Sequence, residues 1–339
     1  MSNRFDWNWR LSDIVQDKPI KVMTTFSCGG GSSMGYKRAG FDVIANVEID
    51  KKMNDMYVAN HHPKYNFCMD LREFNKLDDL PEELYKLDIL DGSPPCTVFS
   101  SAGKREKKWG KSQKFREGQA EQTLDDLFFV FLDTVAKLTP KVVIAENVPG
   151  LVKGNAKGYV NLILKRFAEL GYDVQMFLLN GATMDVPQAR HRVFFIANRC
   201  GFKPLDLRFD YDPVVFGAVR EECGAEMNGN TYKSLLMKAT KGDKTFEDVY
   251  FRLTGQMGMY FTSIIVDDDC VCPTLTASGV FGRLYDRKAF SDKDYVNVSS
   301  FPQDYNFCGN SAQYVCGMSV PVNMMANIAS EVYEQWLKQ

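Results

Sequence analysis

The chain has 339 residues, of which 45% are hydrophobic and 25% charged, and its 41 basic side chains nearly balance its 43 acidic ones. These totals are typical of a folded globular protein and exclude a disordered chain, a collagen and a coiled coil. The net charge of −2 argues against a uniformly basic nucleic-acid binder, although a local basic face is compatible with it.

Strands and helices alternate along the first 200 residues. A strand predicted over 20–27 runs into a glycine turn and then a helix over 34–39. Further strands are predicted over 42–49, 87–90, 141–145, 174–179 and 193–197, and further helices over 51–60, 124–138 and 159–170. This alternation predicts an α/β fold, with a mostly parallel sheet covered by helices on both faces.

After about Cys200 the periodicity weakens and Gly, Asn, Lys and Asp become frequent. Residues 201–285 are therefore predicted to form a separate, smaller unit, in which 260–266 is the clearest strand. Helical spacing returns over 319–337, and we expect this last helix to pack back on the first domain.

No apolar run reaches the roughly 18 residues of a membrane span, and the amino terminus lacks the apolar core of a signal peptide. We therefore expect a cytoplasmic protein with no membrane partner. Nine irregularly spaced cysteines and three histidines indicate reduced thiols and no structural metal site.

The glycine turn after the first strand would let the backbone approach a cofactor closely, and Glu48, at the end of the second strand, could accept hydrogen bonds from ribose hydroxyls. Gly30, Gly31 and Gly35 fit this geometry. The turn is not a clean G-x-G-x-x-G sequence, so a simple tight turn and a dehydrogenase stay open on this observation alone.

Cys96 follows a short apolar strand in the sequence Ser93-Pro94-Pro95-Cys96. It should lie at the carboxyl end of that strand, where open α/β sheets bind ligands. Most free cysteines are buried and inert, but the two prolines would fix the position of this thiol. The setting favours a nucleophile.

Glu146 ends the strand predicted over 141–145, where a buried carboxylate is costly unless it is paired or protonated. A satisfied structural glutamate is the alternative. If parallel strands bring Glu146 and Cys96 to one sheet edge, a nucleophile and a general acid share a cleft.

Two further segments carry positive charge. Arg190 and Arg192 alternate with His191 just before a buried strand, so both guanidiniums should face one side and could bind a phosphate or a carbonyl. Residues 104–116 carry seven basic side chains with Trp109 and Phe115 among them. A solvated surface would explain this run, but a loop that contacts a nucleic-acid backbone would explain it too.

In order and spacing, these motifs resemble those of the DNA (cytosine-5) methyltransferase family. The resemblance rests on Phe26 with its glycine turn, Glu48, Ser93-Pro94-Pro95-Cys96, Glu146-Asn147-Val148, Gln188-x-Arg190-x-Arg192 and Gly317-x-Ser319-Val320. It implies a Rossmann-like domain that binds S-adenosylmethionine, formed by residues 1–200 and 301–339. A target-recognition domain over residues 201–300 would be inserted into it.

The resemblance also implies roles for individual residues. Cys96 would be the nucleophile, Glu146 would contact the cytosine ring, and Arg190 and Arg192 would hold the flipped nucleotide, with Arg192 on the cytosine carbonyl. The cofactor pocket would be lined by Phe26, Gly30, Gly31, Glu48, Ile49, Asp70, Leu71, Ser319 and Val320.

Some positions depart from the family pattern. Cys28 replaces the usual first glycine, Thr97 a glutamine and Met318 an asparagine, and Lys288 and Asp294 are the nearest matches to an arginine and a glutamate that orient the recognition domain.

Three functional hypotheses follow from these motifs. The first is a monomeric methyltransferase acting on double-stranded DNA, from a restriction-modification or phage setting, with a cognate restriction endonuclease as a possible partner. The second is a transfer-RNA cytosine-5 methyltransferase on the same scaffold. The third is a catalytically silent DNA-binding protein that has lost its cofactor site through the changes at Cys28 and Met318. A dehydrogenase would not explain Cys96 together with Glu146.

Overall fold

A computed structural model describes residues 4–95, 112–113, 122–123, 127–152 and 157–338. The chain divides into two compact units. The sheet unit comprises Ile14–Leu179, His191–Arg208 and Met325–Gln339, and the second unit comprises Met1–Asp13, Asn180–Arg190 and Phe209–Met324.

The strands, in chain order, are β1 (Lys21–Thr25), β2 (Asp42–Val47), β3 (Tyr65–Phe67), β4 (Ile89–Gly92), β5 (Ser112–Gln113), β6 (Gln122–Thr123), β7 (Val142–Asn147), β8 (Asp173–Asn180), β9 (Gln188–Ala189), β10 (His191–Asn198), β11 (Ile264–Val266), β12 (Cys272–Pro273) and β13 (Phe281–Arg283). The α-helices are α1 (Gly31–Arg38), α2 (Lys51–His61), α3 (Leu71–Lys76), α4 (Leu127–Leu138), α5 (Lys157–Glu169), α6 (Asn230–Met237), α7 (Phe246–Thr254), α8 (Asp292–Val298), α9 (Ala312–Met318) and α10 (Val322–Val332).

The sheet unit contains a seven-stranded sheet in the order β3-β2-β1-β4-β7-β10-β8. Strands β1, β2, β3, β4 and β7 run parallel to one another, whereas β10 is antiparallel to β7. The carboxyl ends of the parallel strands therefore share one edge, and β10 begins at that edge. The chain order reverses between β1 and β4, which is where open α/β sheets form their ligand crevice.

Apolar side chains explain why these elements form and pack. Every residue of β7 is buried, and α4 buries an apolar stripe that includes Phe128, Phe131 and Val135. Helix α2 begins at Asp50, whose carboxylate accepts hydrogen bonds from the N–H groups of the first turn. Strand pairing and the burial of these apolar side chains fix the positions of the strand ends at the sheet edge.

The second unit has little sheet. Strand β9 pairs with β12 and β11 pairs with β13, both in parallel. Its apolar core includes Leu236, Phe246, Val249 and Ile265. The amino-terminal segment joins this unit because the Trp9 indole donates a hydrogen bond to the Ser300 carbonyl at 2.9 Å.

The predicted α/β fold with a large, mostly parallel sheet is confirmed. The last helix does contact the sheet unit, since the Tyr333 ring lies 5.9 Å from Phe41. The strand predicted over 260–266 is shorter, covering Ile264–Val266, because the Glu247 carboxylate takes the N–H of Tyr260 at 2.7 Å and a turn follows.

The inserted target-recognition domain over 201–300 stays a prediction, because a compact second unit does not by itself show which residues contact DNA. By contacts, residues 301–324 group with 209–300. The Asp304 carboxylate, for example, accepts the N–H groups of Leu11 and Ser12 within the second unit. Among the described residues, the helices are too short or too polar to cross a membrane.

Candidate active site

The glycine turn lies at the carboxyl end of β1 and leads into α1. Cys28, in place of the usual first glycine, has a φ of +43°, and Gly30 has a φ of +76°. The N–H of Cys28 donates to the Glu48 carboxylate at 2.7 Å. Cys28 thus takes the left-handed conformation that a glycine would take, at a cost of roughly 1–2 kcal/mol that this charge-assisted hydrogen bond offsets.

A buried cluster of hydroxyl groups and a histidine packs beside the glycine turn. The Tyr57 hydroxyl lies 2.8 Å from the Ser33 hydroxyl, which lies 3.1 Å from that of Thr24. The His61 ring lies 4.4 Å from the Tyr57 ring, tilted by 33° to it, and it faces Gly30, where an added Cβ would lie 2.1 Å from Nε2 of His61. Burial, with the nearby Lys37 ammonium, holds the pKa of His61 well below its usual range, so its imidazole is neutral.

Glu48 and Asp70 follow neighbouring parallel strands. The Glu48 carboxylate also accepts the N–H of Asp50 at 2.8 Å, and burial raises its pKa. Asp70 caps α3 by accepting the N–H of Arg72 at 2.8 Å. Carboxylate oxygens have spare lone pairs beyond these bonds, so both groups can still accept hydrogen bonds from a ligand.

The other predicted cofactor residues divide between the two units. Gly31 begins α1, Ile49 is partly exposed and Leu71 is buried, all in the sheet unit. Ser319 and Val320 belong to the second unit, where the Ser319 hydroxyl donates to the Val315 carbonyl at 2.8 Å.

The segment before Cys96 is fixed by Asn147, whose side-chain amide donates to the Pro94 carbonyl at 3.1 Å. Strands β4 and β7 run side by side, with Gly92 opposite Ala145, so Glu146 and Pro94 lie at the same edge. Cys96 itself and most of the basic segment 104–116 lie outside the described residues. The sequence did not single out Asn147 for this role, although it directly follows Glu146.

Glu146 forms an ion pair with Arg192, with Oε1 and Nε 2.7 Å apart. The two side chains are 11% and 12% exposed, so the pair is largely shielded from water. Burial lowers the pKa of Arg192 and the Glu146 carboxylate opposes that shift. The ion pair compensates for the burial of the Glu146 carboxylate. It can form because β10 is antiparallel to β7, so Arg192, near the start of β10, lies beside Glu146 near the end of β7.

Arg190 has different surroundings. This residue is 2% exposed, and its guanidinium donates to the carbonyls of Leu275 and Gly317, both at 2.8 Å. Arg190 belongs to the second unit, and the next residue begins the part of the chain that returns to the sheet unit. The structure therefore places the two arginines in different environments, and contact of Arg190 with a nucleotide stays a prediction.

Sequence reasoning missed Arg283. This side chain is completely buried and pairs with Asp294 at 3.2 Å and with Asp286 at 3.0 Å. Lys288, the nearest sequence match to the family arginine, pairs instead with Glu226. Arg283 lies eleven residues before Asp294, so no short motif could reveal the pair.

Asp91 is another buried acid that the sequence did not reveal. It lies in β4, just before the nucleophile segment, and accepts a hydrogen bond from the Tyr36 hydroxyl at 3.0 Å. Burial, opposed by the hydrogen bond from Tyr36 and reinforced by the Glu146 charge, raises the pKa of Asp91 to about 7.

The sequence profile of the C-5 cytosine-specific DNA methylase family matches residues 20–334. The chain belongs to this family. It is therefore a DNA cytosine-5 methyltransferase that uses S-adenosylmethionine as its methyl donor.

Individual relatives agree with this assignment. The type II methyltransferase M.Sau96I of Staphylococcus aureus is 29% identical over 97% of this chain and 80% of its own length. M.NgoPII of Neisseria gonorrhoeae is 28% identical over 93% and 95%.

Two solved structures share the fold. A protein described as an Escherichia coli prophage DNA modification methyltransferase has a TM-score of 0.68 and 20% identity, covering 94% of this chain and 100% of its own. Spodoptera frugiperda DNMT2 has a TM-score of 0.63 and 18% identity, covering 93% and 99%.

The contact between Gly30 and His61 predicts a large cost for Gly30→Ala. Both the positive φ and the collision with the buried imidazole disfavour alanine, whereas Gly171, with a φ of +78°, has open space around its Cβ position. Gly171→Ala should lower the free energy of unfolding by about 1–2 kcal/mol, and Gly30→Ala by at least twice that. Equal losses in urea unfolding would contradict the packing argument.

The buried Asp91 predicts a pH-dependent stability. Burial raises the pKa of Asp91 from 3.8 to about 7, so the unfolded chain loses this proton at a lower pH than the folded protein does. The free energy of unfolding therefore falls progressively between about pH 4 and 7. Asp91→Asn should therefore raise the melting temperature more at pH 8 than at pH 5, with an upper bound of about 4 kcal/mol. Asp88→Asn, which removes an ion pair with Lys141, should give no such gain.

Proposed function

We propose that the protein methylates carbon 5 of a target cytosine in double-stranded DNA through a covalent adduct with Cys96. Support comes from family membership and above all from the Glu146–Arg192 ion pair, which lies at the sheet edge that the segment leading to Cys96 also reaches. Carboxylate and guanidinium are the groups needed to hold the ring nitrogen and the carbonyl of a cytosine.

The chemistry explains the residue types. Carbon 5 of cytosine is a weak nucleophile, so the Cys96 thiolate adds to carbon 6 and converts the ring into an enamine-like species. When bound, S-adenosylmethionine supplies an electrophilic methyl group to carbon 5. The transfer leaves S-adenosylhomocysteine. Loss of the carbon 5 proton to water and cleavage of the bond between sulfur and carbon 6 then restore the aromatic ring and the thiolate.

Glu146 and Arg192 stabilise this adduct in the proposal. Glu146 hydrogen-bonds to or protonates ring nitrogen 3, and a positioned acid typically contributes ~10² to 10⁴ in rate. Arg192 donates to the cytosine carbonyl while its Nε holds the Glu146 carboxylate. We assign Arg190 to positioning in place of the predicted contact with the flipped nucleotide, because both of its terminal nitrogens already bind backbone carbonyls.

The residues present fit the cofactor. The glycine turn gives close backbone approach, and the carboxylates of Glu48 and Asp70 can accept hydrogen bonds from hydroxyl and amino groups. The changes at Cys28 and Met318 do not remove these groups. Phe26, Gly30, Gly31, Ile49 and Leu71 complete the part of the proposed site that the sheet unit contributes, and the family resemblance adds Ser319 and Val320 as cofactor residues.

The cytosine must leave the duplex because a stacked base exposes neither face, and this costs a few kcal/mol. We assign target recognition to residues 201–300 and contact with the displaced strand to the basic segment 104–116. The type II methyltransferases among the relatives support a role in restriction-modification. A cognate endonuclease as partner and a monomer as the active form are further parts of the proposal.

Covalent trapping tests the nucleophile. A duplex with 5-fluorocytosine at the target should form an adduct that survives denaturing electrophoresis, needs S-adenosylmethionine for full accumulation and maps to the Cys96 peptide, because fluorine cannot leave as the proton does. Cys96→Ala should abolish trapping, and Cys96→Ser should be nearly inactive. Trapping at another cysteine would refute the assignment, and trapping on fluorinated transfer RNA but not on DNA would favour the RNA enzyme.

Arg192→Ala should lower kcat on DNA more than tenfold, or about 1.4 kcal/mol of transition-state stabilisation, with a smaller effect on cofactor affinity. Arg199, whose guanidinium approaches the Thr139 carbonyl just beyond β10, provides the control, since Arg199→Ala should keep normal activity. An unchanged rate with weaker cofactor binding would move Arg192 out of the base pocket.

A further inference from the structure

We infer that Arg190 is a positioning residue that couples cofactor binding to target binding. Its guanidinium joins the backbone of the inserted segment to the backbone that precedes Ser319 and Val320. The inference rests on the proposed function, which assigns the first segment to DNA and the second to S-adenosylmethionine.

The contact itself is specific. Two different terminal nitrogens of Arg190 donate to two carbonyls, those of Leu275 and Gly317, each at 2.8 Å. A guanidinium is planar and rigid, so it fixes the two carbonyl oxygens relative to each other. We call this arrangement the Arg190 clamp.

Two further hydrogen bonds fix the Leu275 end of the Arg190 clamp. The Gln188 side chain accepts the N–H of Leu275 at 3.0 Å, and the Thr274 hydroxyl donates to the Ala189 carbonyl at 2.9 Å. With Arg190, three side chains tie 274–275 to the 188–190 segment. A movement of this part of the inserted segment therefore reaches Arg190 directly.

The Gly317 end of the Arg190 clamp, which precedes the two proposed cofactor residues, is closely packed. A Cβ at Gly317 would lie 2.5 Å from the carbonyl carbon of Thr276 and from the nitrogen of Ala277, so α9 meets the inserted segment backbone to backbone. Beyond Leu275, Thr276 and Ser278 are exposed, and beyond Gly317 come the two proposed cofactor residues. Ordering either segment by a ligand thus orders the other, which gives positive coupling.

The test measures the dissociation constant of S-adenosylhomocysteine with and without a target duplex, and that of the duplex with and without S-adenosylhomocysteine. In the wild-type protein each ligand should tighten the other by the same factor, at least fivefold. Arg190→Lys presents a point charge in place of the fork, so the coupling factor should fall to below twofold while the affinity for cofactor alone changes less than threefold. Thr274→Val should give an intermediate factor.

Arg283→Lys is the matched control, because it perturbs another buried arginine of the second unit and should lower the melting temperature while keeping the coupling. If Arg190→Lys retains wild-type coupling, if Arg283→Lys loses as much, or if the wild type binds both ligands independently, the inference is wrong and the proposed function is untouched. A wild type that binds neither cofactor nor DNA would overturn the proposed function and this inference with it.

Discussion

The ion pair between Glu146 and Arg192 is the constraint around which the sheet edge is arranged. A carboxylate at the end of a fully buried strand needs a partner, and removing one member of a buried pair typically costs 3–5 kcal/mol. The antiparallel strand β10 meets this need because its first residues lie beside the last residues of β7. A parallel strand in the same position would begin at the opposite edge and leave Glu146 without Arg192.

The same edge brings together the other groups of the proposed site because five strands end there. Asn147 holds Pro94 and so positions the approach to Cys96, while the hydroxyl cluster and neutral His61 support the glycine turn. Hydrogen-bonded hydroxyls and an uncharged imidazole avoid placing a net charge under the proposed cofactor site. Asp91 is the exception, and its pKa is raised first by burial and then further by the charge of Glu146.

The sequence allowed the sheet, its strand ends and the ordered motifs to be predicted, because alternating apolar runs and strand-terminal polar residues are local signals. It did not reveal which partners those residues choose. Arg190 and Arg192 look equivalent in sequence, yet Arg190 binds backbone carbonyls of two distant segments and Arg192 pairs with the Glu146 carboxylate. Arg283 with Asp294, and Gly30 with His61, depend on contacts between segments distant in sequence. The second unit was difficult to predict because its fold depends on such long-range contacts and not on regular hydrophobic periodicity.

If residues 201–300 read DNA as proposed, the Arg190 clamp affects how such an enzyme can change its target during evolution. Arg190 recognises main-chain oxygens, so its hydrogen bond at 275 does not depend on which buried side chain stands there, whereas Gly317 has no room for a side chain. A foreign segment acquired by recombination would be compatible with the rest of the chain if its join preserved the backbone path through 274–277. Crossovers upstream of β12 leave that path intact, and crossovers within it would separate the arginine from its acceptors.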